Sequence, residues 1–354
     1  YVQNGTVYDG DGQLLGTIAD PSAMKKEIAI APVPGTCATY CIFILETFPL
    51  AELVFSFAEL EFGPGGGGGY LNGPILVEEY LGTNQGGLAV SPIIPGTEAE
   101  RYVYVSAHLP EGRVDRYRMT AQGVVFETTV ANFPSGNGFE SELELSPNGK
   151  LLAWSDSEMV FVEDLGNAIQ YSLNTGPGFD SYCTGLEFSP DGEFLFISHF
   201  QQGLLRWEFG QSPSPFQLPN TSKTFNLTHL EAGLDGRIYC VRNGGLLSAI
   251  DPASLNIDVF EWPVFSDLFG GATPDNYALP DQIDGEGDAF FYGVEPLAVN
   301  GLSINEQTIH PTISEPVPAF YNCGPIELNV DYDGAPTGYS IEINSVDEQT
   351  GEPV

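Results

Sequence analysis

Positive charge is the scarcest property of this chain. Its 354 residues hold 11 Lys and Arg against 48 Asp and Glu, a formal net charge of −37. Such a polyanion repels the phosphate backbone, and no Lys/Arg cluster offers a footprint for it, which excludes nucleic acid as a partner. Anionic lipid surfaces are disfavoured for the same reason. Long apolar runs are missing too: no stretch of roughly 18 apolar residues occurs, so direct membrane insertion through a helix is not expected. Helical periodicity never persists beyond about three turns, while 42 Gly and 27 Pro punctuate the chain. Catalytic signatures readable from spacing are also absent. There is no G-x-S-x-G elbow and no H-E-x-x-H helix, and the glycine run 65–69 lacks the Lys-Ser or Lys-Thr of a phosphate loop.

What is present repeats. Ser146-Pro147-Asn148-Gly149, Ser189-Pro190-Asp191-Gly192 and Gly233-Leu234-Asp235-Gly236 each place a tight turn ahead of an apolar strand. Gly149 to Gly192 is 43 positions and Gly192 to Gly236 is 44, the length of one four-stranded blade of a β-propeller. Pro presets φ, Asn or Asp tolerates the left-handed region, and Gly takes φ > 0 without penalty. The register extends upstream to Gly96 before 101–106 and to Gly35 before 39–45, and downstream to Gly287 before 289–294. The step from Gly35 to Gly96 is 61 positions, longer than one blade. Its glycine run reads as a flexible insertion in a peripheral hairpin.

Six registers are therefore visible, and the chain opens in mid-blade with Thr6-Val7-Tyr8. This predicts an all-β fold, a β-propeller of seven blades over 1–307 with an incomplete first blade. A proline-spaced linker at 308–318 follows. Residues 319–354 then read as the start of an immunoglobulin-like β-sandwich, from alternating strands at 326–330 and 339–343.

Six residues close the second strand of each unit at similar offsets: Glu46, His108, Asp156, His199, Arg242 and Glu295. They are predicted to form a polar ring at the channel mouth for a glycan, a peptide or a metal. The bland alternative is that strand ends are polar because they leave the core. Asp9 and Asp11, and Asp331 and Asp333, lie in acidic turns with the flavour of calcium loops, though neither has the twelfth-position Glu of an EF-hand. Calcium is thus the one cation suggested, and no cofactor is required. Of the five cysteines, Cys37 and Cys41 would be roughly 13 Å apart in one strand, out of disulfide reach unless a turn at Ala38-Thr39 intervenes. Cys183 and Cys240 are placed to face each other across adjacent blades. Cys323 is left over, and no spacing suggests zinc.

The series "TVYDGDGQLLG", "GVVFETTVANFPSGNGFESELELSPNGKLLAWSD", "YCTGLEFSPDGEFLFISHFQQGLLRWEF", "LEAGLDGRIYCVRNGG" and "NYALPDQI" resembles the propeller region of large secreted proteins of Bacteroidetes. Those proteins leave the cell by type IX secretion and end in a sorting domain of the gliding-motility-associated kind. The likeness covers roughly residues 1–283, with Ala278-Leu279-Pro280-Asp281 at the place of the family's "GLPN" element. The family's opening "TDGVTVYN" unit and its sorting domain have no counterpart here. The resemblance implies an extracellular or cell-surface location, no enzymatic activity, and a rigid platform for adhesion or assembly. Its partners would be other surface proteins or glycans, and the secretion machinery during export. Two alternatives stand beside it. One is a glycan- or peptide-binding propeller using the channel face. The other is a hydrolase or lyase, for which Glu46, Asp156 and His199 would have to converge.

Overall fold

The computed structural model describes most of residues 1–260, leaving out short stretches such as 63–68, 134–141, 176–182 and 222–228, together with 302–304, 307–309 and 339–341. The described residues contain strands and no helix. The chain divides into two compact units, Tyr1–Gly285 and Glu286–Val354.

The first unit is a succession of antiparallel sheets in chain order. A three-stranded sheet (β1 Val2–Gln3, β2 Thr6–Tyr8, β3 Leu14–Thr17) comes first. Five four-stranded sheets follow: β4 Lys25–Pro32 to β7 Gly69–Leu81 through β5 Thr39–Phe48 and β6 Glu52–Phe62, then β8 Leu88–Val90, β9 Arg101–Ala107, β10 Gly112–Thr120 and β11 Gly123–Phe133. The fourth sheet is β12 Leu143–Leu145, β13 Leu151–Asp156, β14 Met159–Asp164 and β15 Ile169–Asn174. The fifth is β16 Cys183–Phe188, β17 Leu195–His199, β18 Gly203–Trp207 and β19 Phe216–Gln217, and the sixth β20 Leu230–Ala232, β21 Ile238–Arg242, β22 Leu246–Ile250 and β23 Ile257–Phe260. Each is a simple meander, and the first strands β4, β8, β12, β16 and β20 are successive neighbours.

Strand periodicity explains why the sheets stack face to face. Side chains alternate between faces, and here both faces are apolar. In β5, Cys41, Phe43 and Leu45 pack toward the third sheet, while Ile42 and Ile44 pack toward the first. In β17, Leu195 and Ile197 meet the fourth sheet and Phe196 the sixth. Five apolar layers thus alternate with six sheets. This is the packing of propeller blades.

The repeated turns form as their residues dictate. Gly149 N–H donates to Ser146 O (2.7 Å) and Gly192 N–H to Ser189 O (2.7 Å), with φ of 66° and 71° at the glycines. The Ser189 hydroxyl donates to Asp191 Oδ1 (2.5 Å) and accepts Phe194 N–H (3.0 Å), so the turn is braced by its own side chains. These bonds hold the Asp191 carboxyl below its ordinary pKa, the Ser189 hydroxyl being the largest cause. Equivalent turns abut: a Cβ on Gly192 would lie 3.8 Å from Asn148 Nδ2, and one on Gly236 4.0 Å from Pro190. Space is thus available at Gly192, and the constraint is its backbone conformation. Gly192→Ala is expected to cost about 1 kcal/mol, read as a lower denaturant midpoint with an unchanged slope.

Two expectations are corrected here. The extra length after Gly35 is not only a glycine insertion, because β5, β6 and β7 run 10, 11 and 13 residues against 5, 5 and 2 for β17, β18 and β19. Gly69, the last glycine of the run, opens β7 and pairs with Phe62. Cys183 and Cys240 do not face each other. Cys183 lies in the layer between the fourth and fifth sheets and Cys240 in the layer beyond, with the fifth sheet between them. Both are buried, as is Cys41, and burial pushes the Cys41 and Cys183 thiols up to about 12. Cys37 lies outside the described residues.

In the second unit, β24 Leu302–Ile304 pairs with β25 Gln307–Ile309 and with β26 Tyr339–Ile341. One sheet therefore joins segments expected to end the propeller, begin the linker and belong to the sandwich. The rest of 310–338 lies outside the described residues.

Candidate functional site

The first strand of each blade is an edge within its own sheet. Buried edge N–H groups need acceptors from elsewhere, and carboxylates supply them. Glu27 Oε1 accepts Leu88 N–H (3.0 Å), Glu142 Oε2 accepts Leu186 N–H (2.6 Å) and Glu187 Oε2 accepts Ala232 N–H (2.7 Å). In each case the carboxylate belongs to one sheet and the amide to the next sheet's first strand. Strand alternation aims them: Leu143 and Leu145 pack toward the third sheet, so Glu142 and Glu144 face the fifth. Leu186 and Phe188 pack toward the fourth, so Glu187 faces the sixth. Among the described residues, the step from the third to the fourth sheet uses no such Glu. Ala89 stands there, and a Cβ on Gly87 would lie 2.7 Å from Leu143 N, so close backbone approach replaces the carboxylate.

Glu142 does more than its counterparts. Its second oxygen, Oε1, lies 2.8 Å from Nδ1 of His229, which immediately precedes β20. One side chain therefore ties the fourth, fifth and sixth sheets. Hydrogen bonds to an ionised group are about twice as strong as neutral ones, and both partners are largely withdrawn from water.

Of the six residues predicted for the ring, Glu46, His108, Asp156, His199 and Arg242 lie at or near the ends of second strands, and the side chains described enter three different layers between sheets. Glu46 is buried and its Oε1 accepts Asp20 N–H (2.6 Å). His108 and Asp156 do meet, with Nδ1 3.5 Å from Oδ1, in the layer between the third and fourth sheets. His108 is 0% exposed and lies edge-on to Phe133, ring centres 5.1 Å apart, so no substrate reaches it. His199 shares its strand face with Leu195 and Ile197. Its Nδ1 accepts N–H from Gln201 (3.2 Å) and Gln202 (3.1 Å), which puts the proton on Nε2, where it finds no partner among the described residues. The Arg242 side chain, Glu295, Asp9, Asp11, Asp331 and Asp333 lie outside the described residues. Among the described residues no three of His, Cys, Asp and Glu gather as a metal site.

The described ring residues part for a geometric reason: the second to fifth sheets bury both faces, so a second-strand residue there points at a neighbouring sheet. The residues that sequence reasoning missed are Glu27, Glu142, Glu187 and His229. A signal existed for Glu187: it stands, like Glu144 and Glu231, five positions before a turn glycine, inside a buried first strand. A charge at fixed offset in such a place implies a fixed acceptor role.

Burial lowers the His199 pKa from 6.5 to about 4. The sign follows from linkage: a depressed His favours the neutral folded form, so its share of stability is intact above about 6.5 and lost as pH falls toward 4. The stability difference between the wild-type chain and His199→Gln should shrink over that window in denaturant titrations at pH 7, 5.5 and 4.5.

No family model matches the chain, and no curated protein does. Similar solved structures include a chain from an active polycomb repressive complex 2 in the basal state, 12% identical, with 63% of this chain and 47% of that one covered and a TM-score of 0.42. A chain from a humanized mutant of the Chaetomium thermophilum Polycomb Repressive Complex 2 is 13% identical, with 72% and 53% covered and a TM-score of 0.39. Sqt1 from Chaetomium thermophilum is 12% identical, with 68% and 74% covered and a TM-score of 0.43. This chain spans about half the length of the two polycomb-complex chains. Likenesses at these scores carry no functional argument.

Proposed function

We propose that this chain is a non-catalytic binding module of a secreted or cell-surface protein. A propeller of seven blades would serve as its rigid platform for adhesion or extracellular assembly, with an immunoglobulin-like module following. The observation that carries this reading is where the reactive side chains are spent. Glu27, Glu46, Glu142 and Glu187 hold backbone amides between or beside sheets, and the Nδ1 of His199 is occupied by two amides. Groups locked in this way stiffen a scaffold and are poorly placed to exchange protons with a substrate. The resemblance to secreted Bacteroidetes propellers supports the location and the adhesive role, and implies surface proteins or glycans as partners.

The test sets the chain against immobilised outer-surface material and, in parallel, against nitrophenyl glycosides, lactones and polyuronates. Saturable retention without turnover is expected. Turnover abolished by Glu142→Gln at unchanged folding would contradict the proposal.

A further inference from the structure

Strand β7 stands apart from most outer strands. It runs 13 residues, against 6, 2 and 4 for β15, β19 and β23. Among the described residues it is hydrogen-bonded to β6 alone, which leaves its other edge an open row of backbone donors and acceptors. The first part of that edge is obstructed. Gly16 and Leu15 pack against Leu71 and Gly69, and Pro74 has no N–H to offer.

Beyond Pro74 the strand is open and mixed in character. Ile75, Leu76 and Leu81 are 39, 56 and 71% exposed. Glu78 and Glu79 beside them, and Glu52 and Glu61 on β6, have no cation against them among the described residues. The nearby third sheet differs: Arg113 is matched by Asp115 (2.9 Å) and Arg116 by Glu127 (2.6 Å). Long apolar edges invite another strand unless charge, Pro or brevity blocks them. Beside the register shift at Val77, the remaining block here is acidic charge. It repels a second copy of a chain carrying −37 and attracts a basic segment.

We propose that the edge 75–81 of β7 receives an extended segment of a partner protein in which apolar residues alternate with Lys or Arg, adding as a fifth strand. The backbone ladder supplies affinity and the side chains supply selectivity. Leu76 and Leu81, which share a face across the register shift at Val77, meet the apolar residues, and Glu78 on the opposite face meets the basic ones. This rests on the binding-module reading and names its partner class.

The probe is a soluble eight-residue peptide alternating Lys with Val or Thr. It is compared with a Glu-for-Lys version and with a scrambled version that blocks the lysines together. The expected result is saturable binding by fluorescence anisotropy with slowed amide exchange at 76–81, neither seen with the Glu version. Binding should weaken about tenfold with the scramble, with Leu76→Pro, and with Glu78→Lys combined with Glu79→Lys. Leu76→Thr, a change at an exposed position that leaves the fold intact, should weaken it less. Equal binding of the scramble, protection elsewhere, or unchanged affinity in the variants would overturn the proposal. So would dimerisation in sedimentation that Leu76→Pro abolishes, since the occupant would then be a second copy. Retention on outer-surface material that survives these variants would sink this site and leave the binding-module reading standing.

Discussion

Trp154→Ala is expected to lower the stability of the first unit by about 3–5 kcal/mol, the largest single effect foreseen here. The indole is 0% exposed on the middle of β13. It stacks on Phe161 with ring centres 5.4 Å apart and planes at 19°, and tilts against Phe133 at 5.7 Å. Leu143, Leu145, Leu152 and Tyr104 complete the layer between the third and fourth sheets. Truncation removes the transfer energy of the ring and leaves a cavity that stacked sheets cannot close, because each is pinned by the layer on its other face. Trp154→Phe isolates the packing term. It keeps an aromatic ring in the stack and deletes an indole N–H that has no hydrogen-bond partner among the described residues, so its cost should be well below that of alanine. Guanidinium titrations of the three proteins measure the order, and equal midpoints for Trp154 and Trp154→Ala would contradict the layered core.

The second large effect is electrostatic. Glu142→Ala is expected to cost about 2–4 kcal/mol, because it leaves the buried Leu186 N–H without its acceptor and removes the carboxylate beside His229. In a domain of this size that is a fall in Tm on the order of 8 °C. Glu142→Gln keeps an acceptor for the amide and loses the carboxylate beside His229, so it should fall between. His229→Ala should recover only part of the Glu142→Ala loss, and a double-mutant cycle separates the shared term. If Glu142 instead served catalysis, Glu142→Gln would leave stability untouched and change a rate.

Much of the architecture is legible in the chain because its turns are chemically specific. Ser146-Pro147-Asn148-Gly149 and Ser189-Pro190-Asp191-Gly192 can do little except turn, and the strands after them, β13 and β17, lie where the spacing puts them. The upstream strands at Arg101–Ala107 and Thr39–Phe48 are recovered by the same logic. Where turn chemistry weakens, legibility ends. The long strands β5 to β7 hid behind a glycine run, since composition reports loop propensity and not the pairing partner that draws Gly69 into a ladder. The candidate site was read by offset, which locates a residue along its strand. Offset does not say which layer receives the side chain, and Glu46, His108 and His199 went to three different ones. The His108 and Asp156 pairing was within reach of the register, and the Glu142 link to His229 was not, because it spans two blades.

The most direct test of the central claim, that inner-strand carboxylates latch the second, fourth and fifth sheets each to the next, is amide hydrogen exchange at Leu88, Leu186 and Ala232. Slow exchange at all three is predicted, at rates typical of sheet ladders, although their acceptors are side chains. Glu142→Ala should then release Leu186 selectively, leaving Leu88 and Ala232 protected. Fast exchange at Leu186 in the wild-type chain, or protection there that ignores the loss of Glu142, would contradict it.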